Sequence, residues 1–152
     1  MAIDPVASDL YPILYRERRR VTMHETDASG LIFFGVVSAW ANEGFCGWLA
    51  AAGHSLSSLL QASVAFPTRR FESEYLAPLA LDDEVEIQLR AVHVGRTSFA
   101  LGLSTVRLHD SLIAVTATTW HVYAEFAAVG PGRRPQPRSE PLPGWLIEAL
   151  AG

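Results

Sequence analysis

The chain has 152 residues, almost half of them hydrophobic, and a formal net charge of −4. A single domain of this size buries about 70% of the surface its unfolded chain exposes, so it needs no disulfide or metal staple. The acidic balance lacks the basic footprint of a nucleic-acid binder, and all 12 basic residues are Arg, which excludes Schiff-base lysine chemistry and a P-loop lysine.

Only 18% of the residues are charged, a figure that fits a compact monomer or an oligomer with hidden surface. Cys46 is the only cysteine, so no internal disulfide forms and a cytoplasmic location is the default. Met1 to Leu10 contains Asp4 and Asp9 but no basic stretch, unlike a signal peptide.

In chain order, residues 1–14 read as a loose arm, 15–127 as one folded domain and 128–152 as a Pro- and Arg-rich tail. Tyr15 to Met23 is a first strand, with Tyr15, Val21 and Met23 on one parity and Arg16, Arg18 and Arg20 on the other. His24 to Gly30 is a polar loop, and Leu31 to Phe34 is short and apolar. A long helix follows from Gly35 or Ser38 to Ala52, stopped by Gly53. From Leu31 to Ala52 the only formal charge is Glu43. An acidic residue at the centre of a membrane helix costs about 2.5–3.5 kcal/mol, and glycines interrupt this segment. A helix buried on nearly every side is therefore expected, with no membrane as partner.

Ser55 caps a brief helical turn through Leu60. Strand-like sequence then fills Val64–Ala77, broken at Pro67, followed by Glu84–Val92, Thr97–Leu108 and Leu112–Phe126. The clearest is Glu84–Val92, where Val85, Ile87, Leu89 and Ala91 alternate with Glu84, Glu86, Gln88 and Arg90. Pro143 to Leu150 reads as a short terminal helix. Segregated helix and strands indicate the α+β class, with one antiparallel sheet wrapped around the long helix.

Four stretches, in order, carry a family resemblance. Thr26-Asp27-Ala28-Ser29-Gly30-Leu31-Ile32-Phe33-Phe34 follows a basic strand and enters the helix. Tyr75-Leu76-Ala77-Pro78-Leu79, Leu81-Asp82-Asp83-Glu84-Val85-Glu86-Ile87 and Val94-Gly95-Arg96-Thr97-Ser98-Phe99 follow at the expected strand ends. Together they resemble the 4-hydroxybenzoyl-CoA thioesterase family over residues 15–127. The resemblance implies a hot-dog fold and a homodimer with a continuous sheet, often doubled to a homotetramer. It also implies hydrolysis of acyl-CoA thioesters without a cofactor. Two departures stand out: Phe34 replaces a frequent Tyr, and Gly35-Val36-Val37 replaces a common Asn-Tyr just inside the helix.

Thioester hydrolysis needs a carboxylate near the carbonyl carbon and donors for the developing oxyanion. Asp27 is the implied catalytic carboxylate; otherwise it is a solvated loop residue or a cap. The backbone N–H groups of Phe34 and Gly35 fall where a helix leaves its first donors unpaired, and Gly35 would let substrate approach closely. Glu43 is the second candidate carboxylate. His24, Asn42, Glu43, Thr97 and Ser98 are candidate substrate contacts. Arg96, Arg133 and Arg134 are candidates for the CoA phosphates, with Arg69 and Arg70 behind them. His24-Glu25-x-Asp27 matches no standard ligand set, so no metal is expected. A hot-dog module that binds acyl-CoA without turnover, and a thioesterase acting on carrier-protein thioesters, are the competing readings. A hydratase would pair Asp27 with a nearby following His, and none occurs before His54.

Overall fold

The computed structural model describes residues 11–127, 131–132 and 134–152. Its main sheet contains β1 (Tyr15–Arg20), β3 (Thr68–Tyr75), β4 (Glu84–Val94), β5 (Ser98–Arg107) and β6 (Leu112–Val122), in the order β1-β4-β5-β6-β3. Every neighbouring pair is antiparallel. Helix α1 (Val36–Ala51) packs against this sheet, touching β1, β4 and β6, and is followed by the short α2 (Leu56–Gln61). A second, three-stranded sheet joins β2 (Val64–Ala65), β7 (Ala124–Phe126) and β8 (Pro137–Ser139) in the order β2-β7-β8. The chain closes with α3 (Gly144–Ala151).

The second sheet is a departure from the single sheet expected. Pro67 has no N–H to give a ladder and divides β2 from β3, while Tyr123 separates β6 from β7 and donates its own N–H to Thr97 O at 2.9 Å. β1 also stops earlier than expected. After Arg20 the chain turns through a 3-10 segment at Met23–Glu25, because the Glu25 side chain reaches back to the Thr22 N–H at 2.8 Å.

The alternation of β4 has a direct cause. Val85, Ile87, Leu89 and Ala91 face α1, and their registered partners on β5 include Thr105, Leu103 and Leu101. From the helix, Val36, Val37, Trp40, Ala41, Phe45, Trp48 and Leu49 fill the same core. At Gly44 the helix comes so close to the sheet that a Cβ would stand 3.2 Å from the Leu89 side chain. The all-round burial expected of this helix is not found: Ser38, Ala39, Asn42 and Glu43 form an exposed face. Beyond residue 127 the chain continues into the same core, with Leu142, Leu146 and Leu150 buried and Trp145 stacked on His54 at a ring separation of 3.8 Å. Among the described residues no helix is long and apolar enough to cross a membrane.

Candidate active site

The loop between β1 and α1 is a tight hairpin of its own. Thr26 bridges Ile32, the Asp27 N–H donates to Leu31 O at 2.9 Å, and the Gly30 N–H donates to Asp27 O at 3.0 Å. Gly30 turns the chain at φ +78°, a conformation that costs a glycine little. The hairpin is tied to the β3–β4 connection through the Ile32 N–H to Leu79 O and the Leu81 N–H to Gly30 O. Asp27 sits exposed at its tip. Oδ1 accepts the Ser29 N–H at 2.8 Å and the Ser29 hydroxyl. The two Ser29 donors hold the Asp27 carboxyl below its usual range, so it is ionised at neutral pH. Oδ2 accepts no hydrogen bond from the described residues.

After the hairpin, the Phe33 N–H returns to Glu25 O at 3.1 Å and the Val36 N–H to Phe33 O at 3.1 Å. Between these anchors the N–H groups of Phe34 and Gly35 donate to no partner among the described residues. Helix α1 starts at Val36 with no side-chain cap, so its positive end also favours an anion here. The space beside Gly35 is occupied by the ring of Phe33, where a Cβ would meet Cε2 at 2.7 Å. The expected open approach to Gly35 is therefore narrowed by a neighbouring side chain.

Beneath the loop lies a network not anticipated from the sequence. Glu25 is 3% exposed. Its carboxylate accepts Trp40 Nε1 at 2.8 Å, the Thr22 N–H at 2.8 Å and the Thr22 hydroxyl at 2.9 Å. Arg19 completes the set, donating to Glu25 and to Glu43 while its guanidinium lies 5.0 Å from the Trp40 ring centroid. Burial alone would raise the Glu25 carboxyl; the Trp40, Thr22 and Arg19 donors outweigh it and leave the group below its usual range. The signal was the spacing Thr22-x-x-Glu25, which is that of a capping box.

The remaining candidates divide into two groups. His24 is exposed near the loop, its Nδ1 3.0 Å from the Thr22 hydroxyl. Asn42 and Glu43 lie on the open face of α1. Arg96 and Thr97 occupy the β4–β5 turn and Ser98 opens β5, whereas the Asp27 hairpin bonds to Leu79–Leu81, just before the other end of β4. A strand of 11 residues, roughly 35 Å long, separates them within one chain. Arg134 is exposed in the loop before β8, and Arg133 lies outside the described residues. Arg70 pairs with Glu72 and stacks over Trp120 at 4.8 Å. Among the described residues no group of three His, Cys, Asp or Glu side chains could hold a metal ion.

An antiparallel sheet folded about one long helix is the hot-dog architecture. The chain belongs to the thioesterase superfamily, whose profile matches residues 29–114. It is 29% identical over 134 residues to a 1,4-dihydroxy-2-naphthoyl-CoA hydrolase of Synechococcus elongatus, a match covering 87% of this chain and 94% of that protein. It is 30% identical over 100 residues to the acyl-CoA thioester hydrolase YbgC of Escherichia coli, covering 66% of this chain and 75% of that protein. Its fold superposes on a gentisyl-coenzyme A thioesterase with a TM-score of 0.77 at 23% identity, covering 90% of this chain and 100% of the other.

Proposed function

We propose that this protein hydrolyses an acyl-CoA thioester to the free acid and CoA, with an aryl-CoA such as 4-hydroxybenzoyl-CoA as the preferred substrate. One observation carries the proposal: an ionised, exposed Asp27 at the tip of a braced hairpin, followed seven and eight residues on by two N–H donors at a helix start that are unpaired among the described residues. Asp27 either attacks the carbonyl carbon, forming an acyl anhydride that water then cleaves, or takes a proton from the attacking water. In both cases the Phe34 and Gly35 N–H groups receive the oxyanion. The C–S bond breaks and CoA leaves as a thiolate, a good leaving group that needs no strong general acid.

The aryl preference is supported by the relatives named for naphthoyl- and gentisyl-CoA, and by the exposed Met23, Leu31, Phe33 and Phe34 around the hairpin. His24 and Asn42 are assigned to the acyl side, with Glu43 beside them. The test is thiol release from a panel of benzoyl-, 4-hydroxybenzoyl-, phenylacetyl- and aliphatic acyl-CoAs, with a carrier-protein thioester alongside. The expected result is the highest kcat/KM on an aryl-CoA. Release only from the carrier protein, or tight acyl-CoA binding with no release, would each overturn this reading.

The proposal includes a homodimer, formed by pairing β3 with its copy and doubled to a homotetramer in the cytoplasm. β3 is an edge strand whose residues are mostly exposed, and an open edge is a template for pairing. The other edge, β1, carries Arg16, Arg18 and Arg20 on one face, paired with Glu86 and Glu84. Pairing through β3 offers a route for the Arg96–Ser98 turn to serve the Asp27 of another subunit, with Arg96, Arg133 and Arg134 assigned to the CoA phosphates. Sedimentation equilibrium is expected to give a dimer or tetramer; a monomer at micromolar concentration would contradict it.

A further inference from the structure

Phe33, Phe34, Gly35 and Val36 form a β-turn closed by the Val36 N–H to Phe33 O bond. Its central unit is the Phe34–Gly35 peptide. Gly35, at φ −76° and ψ −16°, has the geometry of the third residue of a type I turn. In a type II turn the same central peptide is rotated by about half a turn, and the third residue must take a positive φ. Most residues resist that conformation, but glycine does not. A glycine here therefore leaves the peptide able to flip, and the flip would turn the Gly35 N–H away from its present direction.

One side chain opposes the flip. The Tyr75 hydroxyl, at the end of β3, donates to Phe34 O. In a trans peptide the C=O and N–H point in opposite directions, so holding the Phe34 carbonyl against β3 fixes the Gly35 N–H on the opposite side. Donation to the carbonyl also polarises the amide and strengthens its N–H as a donor, by roughly 10–30% in cooperative hydrogen-bond chains. Tyr75 spans 41 positions of sequence to reach the turn, and it is half-exposed, so it contributes little to the core.

We propose that Tyr75 is a positioning residue that latches the Phe34–Gly35 peptide so that the Gly35 N–H faces the thioester oxygen. The inference rests on the thioesterase reading for the role of that N–H; the latch itself does not. Tyr75→Phe removes one hydroxyl and leaves the ring. The expected result is a fall in kcat of about tenfold, smaller than the loss of an oxyanion donor outright, with KM within about twofold and the melting temperature nearly unchanged. Independently of turnover, the Gly35 amide resonance in an ¹⁵N–¹H spectrum should shift or double in Tyr75→Phe while resonances remote from the turn stay in place. An unchanged kcat, or a raised KM with kcat intact, would overturn the positioning role. An unmoved Gly35 amide would overturn the latch. If wild type releases no thiol from any substrate, the thioesterase reading fails and the positioning role with it, while the amide still decides the latch.

Discussion

Asp27→Asn is expected to slow thioester hydrolysis by roughly 10²–10⁴-fold, the range typical of losing a positioned acid–base group, while leaving the fold intact. The expectation of intact folding follows from the local geometry. Asn retains an oxygen that can accept the Ser29 N–H and hydroxyl, the two contacts Oδ1 makes, and the residue is exposed at a hairpin held by backbone bonds on both strands. What the substitution removes is the negative charge and the ability to attack or to take a proton. KM should change little, because the N–H groups of Phe34 and Gly35 and the apolar surroundings remain. The pH dependence has a definite sign. A carboxylate held low by Ser29 stays ionised through the neutral range, so activity should persist as pH falls and decline only below the ordinary Asp range. Ser29→Ala removes the hydroxyl donor and should move that acid limb upward, which a kcat/KM–pH profile reads directly.

Glu25→Ala is expected to cost about 3 kcal/mol of stability, at the low end for breaking a buried charge pair, because Arg19 keeps Glu43 as a partner. The change strands Trp40 Nε1 and the Thr22 N–H as well. A loss of that size lowers the melting temperature by roughly 6–12 °C for a domain of this length. Glu25→Gln keeps an acceptor for Trp40 and should fall between mutant and parent. Thermal unfolding of the three proteins checks the order; equal melting temperatures would show that the network carries no net stability. Its pH dependence is that of a lowered carboxyl: the contribution is complete above the unfolded Glu value and is lost as pH falls through the folded one. The buried His121, stacked on Phe45 at 4.5 Å and pushed down to about 4 by burial, acts in the same direction at higher pH. Its neutral form is native, so about 3 kcal/mol is lost as pH falls from about 6.5 to 4.

Much of this architecture was legible because periodicity reports burial. The alternation of Val85, Ile87, Leu89 and Ala91 marks β4, since one face of that strand lies against α1. The run from Gly35 or Ser38 to Ala52 is legible as a helix by length and apolar content, and the structure starts it at Val36. Three features were hidden from a reading of local pattern. Glu25, between His24 and Thr26, reads as a solvated loop acid until Trp40 and Arg19 close over it. The run Leu112–Phe126 reads as one strand, yet β6 and β7 belong to different sheets because Tyr123 turns the chain toward Thr97. The open side of α1, at Ser38, Ala39 and Asn42, is apolar or neutral enough to pass for core in a one-dimensional pattern. Among candidate site residues, Asp27, Phe34 and Gly35 are close in sequence, on one hairpin and the helix start that follows it. Thr97 and Ser98 lie at the far end of β4, and no local pattern records that separation.

The account turns on which carboxylate performs the chemistry. Asp27 leaves one oxygen without a hydrogen bond from the described residues, whereas Glu43 is engaged by Arg19 on the helix face. Thiol release from the best aryl-CoA, measured side by side for wild type, Asp27→Asn and Glu43→Gln, separates them. The account predicts loss of at least a hundredfold in Asp27→Asn and activity within a few-fold of wild type in Glu43→Gln. A folded Asp27→Asn that works as well as wild type, or a Glu43→Gln that alone is inactive, would contradict it.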